Sequence, residues 1–413
     1  MRIIKGNLTL FFFLVLCISC KQNDELTFEV DSYKDKMGVV PIFVNTDILR
    51  GKNIDNYALF QNKNNVNYQL EGDKVWFLHN PDKGNSYVFK ETQKDGNSSL
   101  VNNLEVEKKN GNLQLMLKES PVVSYRYEMT YPPEGIDSIF KKSGFIHPIL
   151  TPKGDTLTRI QPSDHYHHYG LWGPWTHTRI DTTRVDFWNL GEGMGTVLFK
   201  EIKDTISGDI FSSFTAAQEH IDFKTQDAPQ VALNENLQVQ IWDLDRDDRY
   251  MFDYNTSFSS PLENGILFEQ YRYGGGIGLR FNERWKADNC TVLTSEGNDR
   301  ITADGTNAKW CIVTGESSDG KGTNGILFMS HPKNRMHPEP MRIWPIDGNG
   351  GRGDMFFEFC PIRHEEWKIE PNKMYDLKYR MVVFEGELNA EEAEFYWQTF
   401  AAQPKVKQIN QLN

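Results

Sequence analysis

Five of the ten histidines fall between His147 and His177, and the densest stretch reads Asp164-His-Tyr-His-His-Tyr-Gly-Leu-Trp-Gly-Pro-Trp-Thr-His. Imidazole titrates closer to neutrality than other side chains, so such a cluster suits general acid–base chemistry or metal binding. Drawn out as a strand, Asp164 to Tyr169 places His165 and His167 on one face and His168 on the other. A His-x-His pair on one face is a metal-ligand arrangement that Asp164 or Glu269 can complete. It is equally an acid–base pair beside a bound sugar, and the same rings can stack inside an aromatic sheet. Acid–base chemistry leads these readings. Its catalytic candidates are His165 or His167, with Glu269 as partner carboxylate and Asp164 beside them. No metal ligands are assigned and no cofactor is expected; a divalent cation held by oxygen ligands stays open.

The surrounding residues suit a polyol. Trp172, Trp175 and Trp188 offer flat faces to sugar C–H edges, and Asp186 and Asn189 offer paired hydrogen bonds. Phe268-Glu-Gln-Tyr-Arg-Tyr-Gly-Gly-Gly-Ile-Gly puts Glu269, Tyr271 and Tyr273 on one strand face, and its glycines allow close approach. No Gly-Lys-Ser/Thr follows, so this is no phosphate loop, and no dinucleotide fingerprint occurs. The proline-rich segment Ser330 to Arg342 carries His331, Arg335, His337, Glu339 and Arg342, and Gly351-Arg-Gly-Asp follows it. Substrate-binding candidates are therefore His168, Trp172, Trp188, Asn189 and Tyr273, with His147, Arg159, His331, Arg342 and Asp354 from flanking segments. His147, Asp164, His165, His167, Glu269 and Arg342 are expected to converge on one cleft, with Trp172 or Trp188 at its rim.

These groups need a scaffold. Short alternating runs such as Lys74-Val-Trp-Phe-Leu and Leu113-Gln-Leu-Met-Leu recur between breaks such as Glu71-Gly-Asp and Asn110-Gly-Asn. That pattern predicts an all-β chain of sandwich type. One helix is expected near the C-terminus, capped by Asn389, with Glu392 completing a capping box and Ala393, Tyr396, Trp397 and Phe400 on one face. The polar, breaker-rich stretch from Gln93 predicts a boundary, giving a small β module over 20–102 and a large domain over 103–413. Cys290, Cys311 and Cys360 have no metal-type spacing and sit in apolar runs, as buried inert thiols do.

The leader locates the chain. Arg2 and Lys5 precede an apolar run, Leu8 to Ile18, of signal-peptide length and too short to span a bilayer. Ser19 then stands before Cys20, which predicts cleavage after residue 19 and lipidation of the Cys20 thiol. The expected location is the cell envelope, on the periplasmic side of an outer membrane or at the cell surface. The lipid would be the sole membrane anchor. A formal charge of −12 excludes nucleic acid as a natural partner.

Several strings resemble one family. Ser143-Gly-Phe-Ile-His-Pro, Asp164-His-Tyr-His-His-Tyr-Gly-Leu-Trp, Val185-Asp-Phe-Trp-Asn-Leu, Tyr271-Arg-Tyr-Gly-Gly-Gly-Ile-Gly and Gly353-Asp-Met-Phe-Phe are similar to the PmoA-like family, often labelled methane oxygenase, over roughly residues 120 to 402. The resemblance implies a mutarotase-like β-supersandwich and a setting among sugar-processing proteins. Three functions stand in order: a carbohydrate-active enzyme cleaving or modifying an oligosaccharide or glycoside, a non-catalytic sugar-binding lipoprotein, and the metal-dependent oxygenase of the family label. Cys20→Ala should leave the chain unprocessed or release it from membranes. Membrane fractionation with a mass measurement checks this, and a mature-length variant that still sediments with membranes refutes it.

Overall fold

Alternation of apolar and polar residues translates directly into strands with one covered face. In Lys74–His79 every second residue is buried, beginning with Val75. Longer apolar runs such as Met381–Phe384 cannot alternate and must be covered on both faces. The computed structural model describes residues 25–31, 38–92 and 103–409. The leader with Cys20 and the segment 93–102 lie outside the described residues.

Among the described residues the chain is all-β with one α-helix, Ala390–Ala401. Two large antiparallel sheets form a β-supersandwich. The first has nine strands; in spatial order its central members are Glu339–Ile343, Phe356–Phe359, Ile277–Arg280, Leu171–Trp172 and Phe145–Ile149. The second has eight strands among the described residues, the longest including Gln230–Trp242, Arg249–Ser259 and Tyr375–Glu385. One apolar core fills the space between them, drawing Ile277, Leu279, Phe357 and Phe359 from the first sheet and Phe252, Tyr254, Met381 and Val383 from the second. Each such side chain contributes about 1.5–3 kcal/mol on burial, which outweighs the weak intrinsic preference of any one strand.

The long-strand sheet is covered on its other face too. Met251, Val382 and Phe384 point away from the sandwich into a second core with the N-terminal module and the helix residues Ala393, Phe395 and Tyr396. This two-sided burial explains the unbroken apolar run. The module itself is two small sheets, of five and three strands among the described residues. Trp76 meets Trp242 with ring centroids 4.9 Å apart, and the Gln69 side chain bonds the backbone of Ile210 and Phe211. The module also takes Val406–Ile409, from the far end of the chain, as the partner of Leu26–Val30. A strand from the far end of the chain thus completes the sheet built from N-terminal residues.

The helix begins as its sequence predicts: the Asn389 side chain accepts from the Glu392 N–H at 2.9 Å. Glu392 does not close the capping box, however. Its carboxylate is taken by the nearly buried Arg249 guanidinium, which has the greater need of a partner. Trp397 donates its indole N–H to the Ser330 carbonyl and so docks the helix on the long-strand sheet. Cys290, Cys311 and Cys360 are free and buried, and burial pushes the Cys290 thiol up to about 12.

The turn Gly274-Gly275-Gly276 joins the two sides of the site and has φ values of 107°, 77° and 57°. These belong to the left-handed region, which glycine alone enters freely. A Cβ on Gly276 would meet the Phe359 carbonyl. Gly276→Ala should cost on the order of 2–4 kcal/mol, read as a lowered denaturant midpoint at unchanged slope. A loss under about 0.5 kcal/mol would mean that the turn relaxes at little cost.

Candidate active site

The site grows from the outer face of the nine-stranded sheet. Along each central strand the odd and even residues part company. Met341 and Ile343 enter the sandwich core, so Arg342 points outward; Phe357 and Phe359 enter it, so Phe356 and Glu358 point outward. Leu171 goes in and Trp172 out; Ile277 and Leu279 go in, and Gly278 and Arg280 out. Gly278 leaves room for Trp188, since a Cβ there would lie 3.2 Å from the indole. Trp172, Trp188 and Phe356, with Phe145, Tyr169 and Leu190, form a separate apolar floor on this face.

The histidine segment is not the expected strand. Pro162 cannot continue a ladder, and the chain instead makes successive turns, with the His165 N–H on Pro162 O at 2.8 Å and the His168 N–H on His165 O at 2.9 Å. The consequence is that His165, His167 and His168 gather on one side rather than splitting between two faces. All three line a cavity of about 430 Å³. His165 stacks on His168 with centroids 4.6 Å apart, and His167 meets His168 edge-on at 4.8 Å. Burial pushes the His167 ring down to about 4, helped by the neighbouring His165, and burial drives His168 well below the usual imidazole range. Both rings are neutral at pH 7.

Asp164 holds the third ring. Its Oδ2 lies 2.8 Å from His165 Nδ1, 3.0 Å from Arg280 Nη2, 3.1 Å from Arg352 Nη2 and 2.6 Å from Asn349 Nδ2. Burial by itself would raise this carboxyl, but the His165 hydrogen bond, the Arg280 charge and the Asn349 hydrogen bond hold it well below the usual carboxylate range. An ionised carboxylate only accepts, so Nδ1 of His165 carries a proton, and in the neutral ring Nε2 is the nitrogen with a lone pair. Nε2 has no hydrogen-bond partner among the described residues. Asp354 sits one layer behind, nearly buried, bonded to Arg352 Nε at 2.9 Å and Asn349 Nδ2 at 2.6 Å, with Arg280 at 3.7 Å.

The opposite wall comes from two loops. Trp188 and Asn189 are fixed by the buried Asp186, whose Oδ1 accepts both backbone N–H groups at 2.9 and 2.8 Å. The Asn189 amide then reaches the Tyr273 hydroxyl at 3.2 Å. Burial pushes Tyr273 up to about 12, so it remains a neutral phenol. Arg272, Arg342 and Trp344 complete this side. Arg342 Nη1 donates to Asp304 at 2.6 Å, and the Arg280 guanidinium packs on the Trp344 ring, 4.7 Å from its centre.

Of the six residues expected to converge, His165, His167 and Arg342 line the cavity and Asp164 backs it, and the binding candidates His168, Trp188, Asn189 and Tyr273 line it as well. Others do not. Glu269 leaves the end of the strand Ile266–Phe268 and is captured by Arg179 on the paired strand, so it is no partner carboxylate here. His147 is half-buried against Thr158, its Nδ1 2.8 Å from the hydroxyl, and desolvation pushes it down to about 4. Arg159 turns to Glu283 at 3.3 Å. His331 ends a strand of the other sheet and rests on Phe400 of the helix. Trp172 is floor beneath His168, and Asp354 supports rather than lines. Arg272, Arg280, Trp344 and Asn349 were absent from the expectation. The glycine-rich run Gly348 to Gly353 was the available signal for Asn349, which adopts φ 56° within it. Among the described residues no group of three or more His, Cys, Asp or Glu side chains is arranged to hold a metal ion.

Fold and cavity together define an all-β supersandwich protein with a histidine-lined pocket on one sheet's outer face. The chain belongs to the family of unknown function DUF6807, whose model matches residues 112–398. That match replaces the PmoA-like assignment, and the oxygenase reading attached to it lapses. No curated protein matches the chain. Similar solved structures include heparan sulfate lyase HepC from Pedobacter heparinus, 9% identical with TM-score 0.32, covering 73% of this chain and 38% of that one. An alpha-mannosidase from Enterococcus faecalis V583 is 9% identical with TM-score 0.39, covering 94% and 46%. A galactose mutarotase related enzyme from Lactobacillus acidophilus is 9% identical with TM-score 0.32, covering 69% and 100%. This chain spans under half the length of the lyase and the mannosidase. All three neighbours are named as carbohydrate-active proteins, but likenesses this weak say nothing about the chemistry of this site.

Asp164 gives the site a pH signature. Folding favours its ionised form, so its folded pKa lies below the unfolded value of ~3.9. Its stabilising contribution is complete at neutral pH and is lost as pH falls from about 4 towards the folded value. Asp164→Asn should destabilise the fold by about 1–3 kcal/mol at pH 7, because Arg280 keeps only Asp354. The variant's melting temperature should also decline less steeply than the wild type's below about pH 4. Parallel acid-side melting curves for the two proteins would contradict this account.

Proposed function

We propose that the protein is a carbohydrate-active enzyme that works by acid–base chemistry at the His165 cavity. The observation that carries this reading is the Asp164–His165 hydrogen bond at the cavity wall. It fixes the tautomer and leaves Nε2 of His165 as a base with no protein partner. A ring needed only for packing would not require a carboxylate held by two guanidiniums behind it. The partly exposed Trp344 ring above the Trp188 floor and the polar tips of Asn189, Tyr273 and Arg342 suit a sugar ring, and the volume suits a small-ligand pocket. The substrate class is an oligosaccharide or glycoside, met at the bacterial envelope where Cys20 would tether the chain.

Within this reading His165 accepts the proton and Tyr273, kept neutral by burial, can return one. His167 is neutral and lines the same cavity, available to orient a hydroxyl. The second reading, a non-catalytic sugar-binding lipoprotein, is favoured by the continuous aromatic floor of Trp188, Phe356 and Trp344, which would serve binding by itself.

A screen of the purified soluble chain against plant and algal oligosaccharides, with mass detection, tests the two together. On any substrate found, His165→Ala should lower kcat about 10²-fold or more while calorimetric affinity survives. Asp164→Asn should lower kcat by a smaller factor, since it leaves the base present but misdirected. Full activity in His165→Ala removes the acid–base role. Tight binding of a glycan with no turnover in the wild type moves the protein to the binding class.

A further inference from the structure

We propose that the cavity takes an acidic sugar, a uronic acid residue within a glycan whose carboxylate is received between Arg272 and Arg342, and that it cleaves the glycan there by β-elimination. This rests on the acid–base reading above and names its substrate class and reaction.

Charge makes the first argument. The chain carries −12 overall, yet its cavity gathers positive charge. Asp304 is the carboxylate paired with Arg342 on this wall, and it serves two guanidiniums, at 2.6 Å from Arg342 and 3.2 Å from Arg363. Arg272 stands beside them with no ion pair among the described residues; its guanidinium only overlies Tyr271 and Tyr273, at 6.0 and 5.8 Å. Arg342 and Arg363 thus share one carboxylate, and Arg272 beside them has none among the described residues. Glu358, buried on the same face and paired with Arg342 across the strands, offers little counter-charge, because burial drives its carboxyl well above the usual carboxylate range. On the far wall Arg280 and Arg352 are matched by Asp164 and Asp354, so nothing there competes. An exposed unpaired arginine next to an under-neutralised one is a receptor for a planar anion, and a carboxylate fits its fork.

What the lining lacks makes the second. Hydrolysis of a glycosidic bond ordinarily uses two carboxyl groups across the scissile bond. The residues lining this cavity include none. The proton-carrying groups present are His165, His167 and Tyr273, and these suffice for elimination. His165 Nε2 removes the proton on the carbon that bears the uronate carboxylate. The electron pair is delocalised into that carboxylate, whose growing charge Arg272 and Arg342 stabilise. It then forms the carbon–carbon double bond as the neighbouring carbon–oxygen bond to the leaving sugar breaks. The phenol of Tyr273 supplies the proton for the departing oxygen. No water is consumed, nothing is oxidised or reduced, and the base and phenol are reset by one proton exchange with solvent.

The test uses the mature soluble chain with four sets of glycans: uronate-containing, the same glycans with carboxyl groups reduced to alcohols, sulfated without uronate, and neutral. Reactions run in heavy-oxygen water. The expected result is cleavage of uronate glycans only, with ultraviolet absorbance from a conjugated double bond and no heavy oxygen in the new ends. Arg272→Gln, at an exposed and unpaired position, should raise KM for the uronate glycan about tenfold or more with a smaller change in kcat. Cleavage of uronate glycans with heavy-oxygen uptake overturns elimination. Equal cleavage of carboxyl-reduced or neutral glycans, or cleavage of sulfated ones alone, overturns the uronate assignment. In all these cases the acid–base reading stands if His165→Ala is inactive. Binding without cleavage of any set overturns the acid–base reading along with this one.

Discussion

A nearly buried guanidinium organises this site. Arg280 is 1% exposed on the outer face of a central strand, under the Trp344 ring. A cation taken out of water costs several kcal/mol unless anions follow it. Two do: Asp164 from the histidine turn and Asp354 from the glycine-rich loop. Meeting Arg280 draws two segments far apart in sequence onto one strand, and Asn349 and Arg352 stitch both carboxylates together. The position of His165 is a consequence of this arrangement, because its partner Asp164 is already committed to Arg280.

The sheet that carries Arg280 has two faces with different duties. Its inner face is apolar and closes the sandwich; its outer face holds an aromatic floor, then charged and titratable groups above it. The other sheet has no such freedom. Its outer face is covered by the N-terminal module and the closing helix, which together bury a second apolar core. Among the described residues, the long-strand sheet therefore supplies support, and the chemistry collects on the sheet whose outer face remains open.

Neutral imidazoles beside under-neutralised arginines form an uncommon electrostatic setting. Burial keeps His167 and His168 from adding positive charge, so the field in the cavity comes from the guanidiniums. Under the proposed acid–base reading, His165 would work in a field to which the rings of His167 and His168 add no charge. The same field would stabilise negative charge that develops on a substrate.

Much was legible from local pattern. Alternation gave the all-β class, the Asn389 cap marked the helix start, and the interleaving of His with Trp around Asp164 marked the segment where the cavity opens. Those features depend on neighbours within a few residues, and a linear reading captures them. What depended on long-range partners was invisible. The histidine stretch could be read as a strand because its one local breaker, Pro162, lies just ahead of it and the Arg280 that anchors Asp164 is distant in sequence. Glu269 looked available because Arg179 lies far from it in sequence. Arg280 itself sits inside an ordinary-looking strand, and Arg272 gains meaning only when Asp304 proves too little for Arg342 and Arg363. The sequence by itself determined which residue types could do chemistry and the strands that carry them. The tertiary structure decided which of them meet, because buried charges must be paired and their partners lie on distant segments.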